Sequence, residues 1–305
     1  MSARAVAVAS GFYTHKRGDF LKIFHVSDNS KGYLKKHLQP THLRNYYVDL
    51  AACNRASNIE WVCREKEESR STCECVTRMA DKHAVDALVV GSFGRKGEKL
   101  DVLGTVSDFS LRTSHSSVVI VRSTGPVWDR RRGCRFLFAT DGSHASAVAF
   151  VVLIKYFYKP NDSITVLKVT NTITPEEQLS MKQFSDYMST HGIPAYFGRT
   201  MLREISVNAL TVPEVILDAI HDLSIDVVVL GVSGYGKKKL GSVSEEISVR
   251  ASCTSIVIKD SREVNNSRYR TAGVSTLAAE INGFKGAAKS GSEATSLGNG
   301  DGKGK

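Results

Sequence analysis

The chain of 305 residues has only 2 tryptophans and 6 prolines. It also has no long apolar run. The longest, Ala147 to Ile154, holds eight residues, where a bilayer-spanning helix needs roughly 20. No membrane partner is therefore expected. After Arg4 a short Ala/Val run is followed at once by Tyr13, His15, Lys16 and Arg17, which is not the pattern of a secretory leader. Cysteines stand at 53, 63, 73, 75, 134 and 253 without a CxxC pair. They read as reduced thiols of a cytoplasmic protein. The scattered histidines, among them His15, His25, His37, His42 and His83, form no HExxH or His/Cys/Cys spacing, so no metal is expected. His25 falls inside a strand and reads as packed. His144 reads as an exposed side chain in a first helical turn. No GxSxG elbow accompanies a triad, no loop ends in Gly-Lys-Ser/Thr, and no GxGxxG follows a first strand. Arg130, Arg131 and Arg132 with Arg135 lack aromatic platforms or a binding module around them, so nucleic acid is not expected and solvated linker arginines are the simpler account.

What is present suits a packed protein of ordinary composition. Apolar residues make up 42% and charged residues 24%, with a net charge of +10. That balance excludes collagen, coiled coil and wholesale disorder. The positive charge favours anions without choosing among them.

The chain repeats itself. Asp86-Ala-Leu-Val-Val-Gly91 returns as Asp226-Val-Val-Val-Leu-Gly231, Asp19 to Val26 returns as Asp162 to Val169, and Val118 to Val121 returns as Ser255 to Ile258. Gly104-Thr-Val-Ser-Asp108 likewise matches Gly241-Ser-Val-Ser-Glu245. A period of about 140 residues is right for tandem globular units and too long for a solenoid. The expected domains are 1–122 and 134–261, joined by a linker over 123–133. A Gly/Ser-rich tail over 262–305 holds 8 of the 24 glycines and is expected to be disordered, with a short helical stretch over 274–281.

In the second copy the pattern predicts strands at 136–140, 164–169, 195–200, 227–230 and 255–258. Helices are predicted at 143–158, 175–190, 213–223 and 242–250. Apolar runs without alternation suit parallel strands covered on both faces, and the βα alternation argues for a doubly covered sheet. The first copy follows the same plan, with helices at 2–16, 41–56, 69–83 and 105–113 and strands at 20–26, 59–63, 87–90 and 118–121. It has no counterpart of Phe136 to Asp141, so it is expected to lack its first strand. That omission leaves two rows of backbone groups without a shared partner, at about 1–3 kcal/mol for each buried unpaired group. Another segment fills the slot, the flanking strands close on each other, or the domain is N-terminally incomplete. The last is favoured.

Both copies place a glycine after the fourth strand and another three residues on: Gly91 with Gly94, Gly231 with Gly234. Each then has a glycine and a hydroxyl opening the last helix, Gly104-Thr105 and Gly241-Ser242. Such a turn can hold phosphate oxygens against helix N–H groups without an intervening Cβ. Glycines also simply end strands.

As a whole, this pattern resembles the universal stress protein family in tandem form, over roughly residues 2–122 and 134–259. The resemblance implies two flavodoxin-like α/β domains, akin to the adenine nucleotide α-hydrolases, with parallel sheets ordered 3-2-1-4-5. It implies pairing through the last strands, within one chain or as a homodimer, and binding of ATP or AMP, with Mg2+ where the nucleotide is ATP. In ATP-binding members the first-strand aspartate and the end of the second strand meet adenine, and the glycines with the following hydroxyl hold ribose and phosphates. Carried across, the second copy offers Asp141, Val169, Gly231, Gly234, Gly241 and Ser242. The first offers Val26, Gly91, Gly94, Gly104 and Thr105, without an aspartate. The first copy keeps nine residues between Gly94 and Gly104, as the family's signature does; the second has six between Gly234 and Gly241. The shortened loop carries Gly236, Lys237, Lys238 and Lys239. These offset polyphosphate charge or are simply solvated. Asp141 alternatively caps the helix after it alongside Ser143. The expected function is a stress-response protein that binds an adenine nucleotide as regulator. The alternatives are a scaffold of the same fold without nucleotide, and a slow ATPase or nucleotidyl-transfer enzyme.

Overall fold

The structure is a computed structural model that describes residues 2–28, 35–94, 101–123, 132–205, 211–233 and 240–260. The expected tail, the lysine loop with Gly234 and Gly236, Arg130 and Arg131 lie outside the described residues.

The first half contains α1 (Ser2–Phe12), β1 (Leu21–Ser27), α2 (Pro40–Cys53), β2 (Ile59–Glu65), α3 (Thr72–Lys82), β3 (Ala87–Gly91), α4 (Thr105–Thr113) and β4 (Ser117–Val121). The second contains β5 (Arg135–Thr140), α5 (His144–Val152), β6 (Ser163–Thr170), α6 (Pro175–Thr190), β7 (Gly198–Glu204), α7 (Val212–Asp222), β8 (Val227–Ser233), α8 (Ser242–Arg250) and β9 (Thr254–Asp260). Among the described residues no helix is long and apolar enough to cross a membrane.

Seven strands form one sheet in the order β3-β4-β9-β8-β5-β6-β7, and β1 with β2 forms a separate parallel pair. Within the second half alone the order is third, second, first, fourth, fifth, reading from β7 to β9. All its neighbours run parallel. The halves join where β4 meets β9 antiparallel, Val119 opposite Ile256, so the last strands pair within one chain. Strand side chains alternate between two cores. Phe136 and Phe138 face α1, α5 and α6, with Val8, Phe150 and Phe184. Leu137 and Ala139 face the opposite layer, with Leu111, Ile216 and Ile247. Each core crosses the seam between halves.

Polar side chains reinforce the seam. Arg112 bridges to Glu245 at 2.5 Å, and Lys259 donates to the Ser114 carbonyl at 2.5 Å. Arg122 donates to the carbonyls of Ser248 and Val249 at the end of α8. Burial pushes the Lys259 ammonium down to about 8, the direction expected when a charge leaves water.

Local chemistry resets several predicted boundaries. The helix predicted over 41–56 stops at Cys53, because the Asn54 side chain donates to Leu50 O at 2.7 Å and Arg55 turns to φ 68. The one predicted over 69–83 starts at Thr72, where Ser71 and Glu74 form a reciprocal capping box. The helix predicted over 2–16 ends at Phe12, and a short 3₁₀ turn follows at His15–Arg17. The one predicted over 143–158 ends at Val152 and widens into a π turn, Leu153–Phe157. The strand predicted over 195–200 begins only at Gly198, since the N–H groups of Phe197 and Gly198 both donate to Pro194 O and close a turn. Arg132 is not merely solvated. With Arg135 it binds the buried carboxylate of Asp226 at 2.8 and 3.1 Å. His25 packs as expected, stacked on Trp61 at 5.4 Å, and burial lowers its pKa.

In the first half β1 and β3 lie in separate sheets and share no ladder. The β1–β2 pair instead has its own small core of Tyr13, Ile23, Ala51 and Ala56.

Candidate functional site

The candidate site lies at the carboxyl ends of β6, β5 and β8. Parallel pairing of Ala139 with Leu230 puts Thr140 beside Gly231, and pairing of Thr140 with Lys168 puts Asp141 beside Val169. Asp141, just past the end of β5, Val169, next to last in β6, and Gly231, two residues before the end of β8, therefore stand near the carboxyl ends of three adjacent strands, about 4.8 Å apart from strand to strand. Crossovers leaving such neighbours to opposite faces open a crevice at that edge.

The turn from β5 into α5 is tightly pinned. Thr140 and Ser146 share a buried hydroxyl–hydroxyl contact of 2.5 Å, and Gly142 N donates to Thr140 Oγ1 at 3.1 Å. Gly142 takes φ 79, a conformation that glycine adopts without a steric cost. Asp141 is exposed, and its Oδ1 accepts from Ser143 N at 2.8 Å. One carboxylate oxygen is thus held by the backbone while the group stays open to solvent. Ser143 caps α5 by accepting from Ser146 N. His144, in the first turn, is half-buried rather than exposed as expected.

Across the crevice, Gly241 and Ser242 are both exposed at the start of α8. A Cβ on Gly241 would meet nothing within 4 Å. The first N–H groups of a helix have no partner within it and carry the positive end of its dipole. Gly231 has a different role. A Cβ there would lie 2.7 Å from Ala145 O and 2.8 Å from the Ala149 Cβ, so its bare backbone lets α5 cross β8. Gly234 falls outside the described residues.

Lys168 is a residue that motif reasoning misses. Its ammonium pairs with Glu177 in the first turn of α6, and it would lie 3.1 Å from a Cβ on Gly142. A cation therefore stands beside the β5–α5 turn. The available signal was the single charge in the strand Ser-Ile-Thr-Val-Leu-Lys-Val-Thr.

The first half does not bring its candidates together in the same way. Val26 is half-buried in β1, Gly91 ends β3 in another sheet, and no described carboxylate takes the place of Asp141. Gly94 meets nothing within 4 Å. Gly104 closes its loop instead. Its N–H donates to Ser92 O at 2.7 Å, Ser107 Oγ donates to the same oxygen at 3.0 Å, and a Cβ on Gly104 would lie 3.0 Å from it. Thr105 is exposed at the first helical position of α4.

The acids repeated in the sequence work at the opposite, amino-terminal edge. Asp162 accepts from the N–H groups of Cys134 and Lys159. Burial pushes its pKa up to about 6 against the pull of those donors. Burial likewise raises the pKa of Asp86, with Asp19 adding to the effect. Among the described residues no cluster of His, Cys, Asp or Glu could hold a metal.

Residues 1–122 match the model of the universal stress protein family. A universal stress protein from Archaeoglobus fulgidus DSM 4304 superposes with a TM-score of 0.59 at 14% identity, covering 85% of this chain and 92% of its own. The chain has the universal stress protein fold. A Pseudomonas aeruginosa PAO1 protein, described as functionally unknown, superposes with a TM-score of 0.58 at 12% identity, over 92% of this chain and 91% of its own. Comparison with curated proteins gives no match. The family's sequence pattern therefore lies in the half that keeps the full glycine spacing, and the aspartate-bearing crevice lies in the other half of the same fold.

Proposed function

We propose that the second half binds an adenine nucleotide, ATP or AMP, in the crevice between β5 and β8. In this reading the protein serves stress response in the cytoplasm through the bound state and does not turn the nucleotide over. The observation that carries the reading is that Asp141, Val169 and Gly231 lie near the carboxyl ends of three adjacent parallel strands. Asp141 would take ribose or base donors on its free oxygen. The backbone at Val169 would face the base. The N-terminus of α8, with Gly241 and Ser242, would take phosphate, and Gly234 would continue that cradle. Mg2+ would accompany ATP, held through the phosphates, since no described carboxylate cluster supplies it a cage. The first-half residues Val26, Gly91, Gly94, Gly104 and Thr105 would form at most a weaker cradle without a carboxylate.

The proposed units are residues 1–122 and 134–261, paired within the chain through β4 and β9. The described pairing supports that arrangement over a homodimer through the same strands. Six free cysteines suit a reducing compartment.

A scaffold without nucleotide is favoured by two facts. Gly231 is accounted for by helix packing, and Asp141 already accepts a backbone hydrogen bond. Equilibrium dialysis against ATP and AMP, with mass analysis of molecules released on denaturation, separates the readings. Binding without phosphate release, weakened about tenfold or more by Asp141→Ala, is the expected result; tenfold corresponds to about 1.4 kcal/mol. An empty site at millimolar nucleotide supports the scaffold. Phosphate release that vanishes in Asp141→Ala supports the enzyme.

A further inference from the structure

Strand β6 reads Ser-Ile-Thr-Val-Leu-Lys-Val-Thr, and Lys168 is its only charged residue. Alternation along the strand puts Lys168 on the face of Ile164 and Val166, which pack with Phe150 of α5 and Phe184 of α6. Its side chain reaches the starts of both helices. The ammonium pairs with Glu177 in the first turn of α6, and it stands 3.1 Å from where a Cβ on Gly142, just before α5, would lie. The positive ends of two helix dipoles are an unfavourable place for a cation. Only 12% of the Lys168 side chain and 25% of the Glu177 side chain is exposed, so water screens these charges poorly. A choice that local electrostatics disfavours calls for a gain elsewhere.

The gain lies in the turn that carries Asp141 out of the sheet. On the α5 side this turn is fastened by Thr140, which meets Ser146 and accepts from Gly142 N. Asp141 is oriented by the bond from Ser143 N to its Oδ1. Gly142, between these two residues, takes φ 79 and is the most pliant point of the turn. Lys168 stands opposite Thr140 in the ladder. Among the described residues beyond the chain neighbours of Gly142, Lys168 alone comes within 4 Å of a Cβ placed there.

We propose that Lys168 is a positioning residue of the crevice, held by Glu177 and acting through Gly142 to aim the free oxygen of Asp141 at the ligand. This rests on the reading that the crevice binds an adenine nucleotide. Lys168 does not itself meet the phosphates. Its ammonium is engaged by Glu177 on the face of α5 and α6, whereas α8, opened by Gly241 and Ser242, packs on the opposite face through Ile247. The pair works as a strut: a methionine of similar length would fill the space without the bond that fixes the chain end.

The test uses the full chain with Lys168→Met, Lys168→Arg, Glu177→Gln and Asp141→Ala, and reads the ligand-free turn separately from nucleotide affinity. In the ligand-free protein the exchange rate of the Ser143 amide, the donor to Asp141, is measured by NMR. It is expected to rise about tenfold in Lys168→Met, to rise also in Glu177→Gln, and to stay at the wild-type rate in Lys168→Arg, with the Ser146 amide unchanged as a control of folding. In equilibrium dialysis against ATP and AMP, Lys168→Met is expected to bind about tenfold more weakly, and to add no further loss in a chain that already carries Asp141→Ala. If Lys168→Met does not fold, Glu177→Gln is read in its place. The inference is overturned if the Ser143 rate is the same in Lys168→Met as in wild type, if Lys168→Arg behaves like Lys168→Met, or if the affinity losses of Lys168→Met and Asp141→Ala add. A wild-type protein that binds neither nucleotide removes the proposed function and leaves the strut to be decided by Ser143. Nucleotide binding in wild type with an unchanged Ser143 rate in Lys168→Met keeps the function and removes the strut.

Discussion

Gly231 faces the Ala145 carbonyl so closely that a Cβ on it would stand 2.7 Å from that oxygen. Ser146 Cα and Ala149 Cβ close the other sides at 2.9 and 2.8 Å. Helix α5 can pack on β8 only because this position is bare. The glycine after the fourth strand thus serves the core whether or not a ligand ever reaches its backbone.

Gly231→Ala is therefore expected to lower stability by about 1–3 kcal/mol, the cost of overpacking a well-filled interior. Gly241→Ala, at an open helix start, is expected to cost less than about 1 kcal/mol. Urea unfolding of both variants checks the contrast. Equal losses would show that the crossing of α5 over β8 is not what Gly231 permits.

Much of the architecture was legible because its cues were local. Val227 to Leu230 and Phe136 to Thr140 are apolar without alternation and became central parallel strands. The helix bounds at 175–190 and 242–250 were signalled by Pro175 with Glu176 and Glu177 and by Gly241 before Ser242. The neighbourhood of Asp141, Val169 and Gly231 followed once the strand order was taken from the resemblance. Features that depend on tertiary crossing were not legible. The π turn after Val152, the turn closed on Pro194 O, and the packing role of Gly231 each need a partner distant in sequence or a local hydrogen-bond choice that composition does not encode. Lys168 escaped notice because one cation in an apolar strand reads as an edge residue until Glu177 and Gly142 are seen beside it.

Asp162 gives the protein a pH dependence of definite sign. Its carboxyl has a pKa near 3.8 unfolded and about 6 folded, raised by burial. Between those values the folded state binds more protons than the unfolded state. Stability from this group therefore falls as pH rises from about 4 to 6 and stays lower above that window. The full effect is on the order of 3 kcal/mol. Asp162→Asn, which keeps an acceptor for one of the two N–H donors, is expected to flatten the profile between pH 4 and 6. Urea midpoints measured across that range for both proteins provide the check. An unchanged slope in the variant would remove Asp162 as the source.

Arg122 ties the first half to the end of α8 in the second. The side chain is buried, from the segment just after β4, and it donates to Ser248 O and Val249 O at the end of α8. The last carbonyls of a helix have no partner within it, and a guanidinium there also opposes the negative end of the dipole. Arg122→Leu keeps bulk but removes both of these donations at a buried surface. The expected loss is about 1–3 kcal/mol, larger than for Arg112→Leu, whose ion pair with Glu245 is partly exposed. Because β4 and β9 share one sheet across the seam, wild-type unfolding is expected to follow a single transition. Arg122→Leu should shift that transition as a whole, with fluorescence and circular dichroism moving together. If the two signals separated in the wild type itself, the seam would not couple the halves. If Arg112→Leu cost as much as Arg122→Leu, burial of the capping guanidinium would not be what sets its contribution.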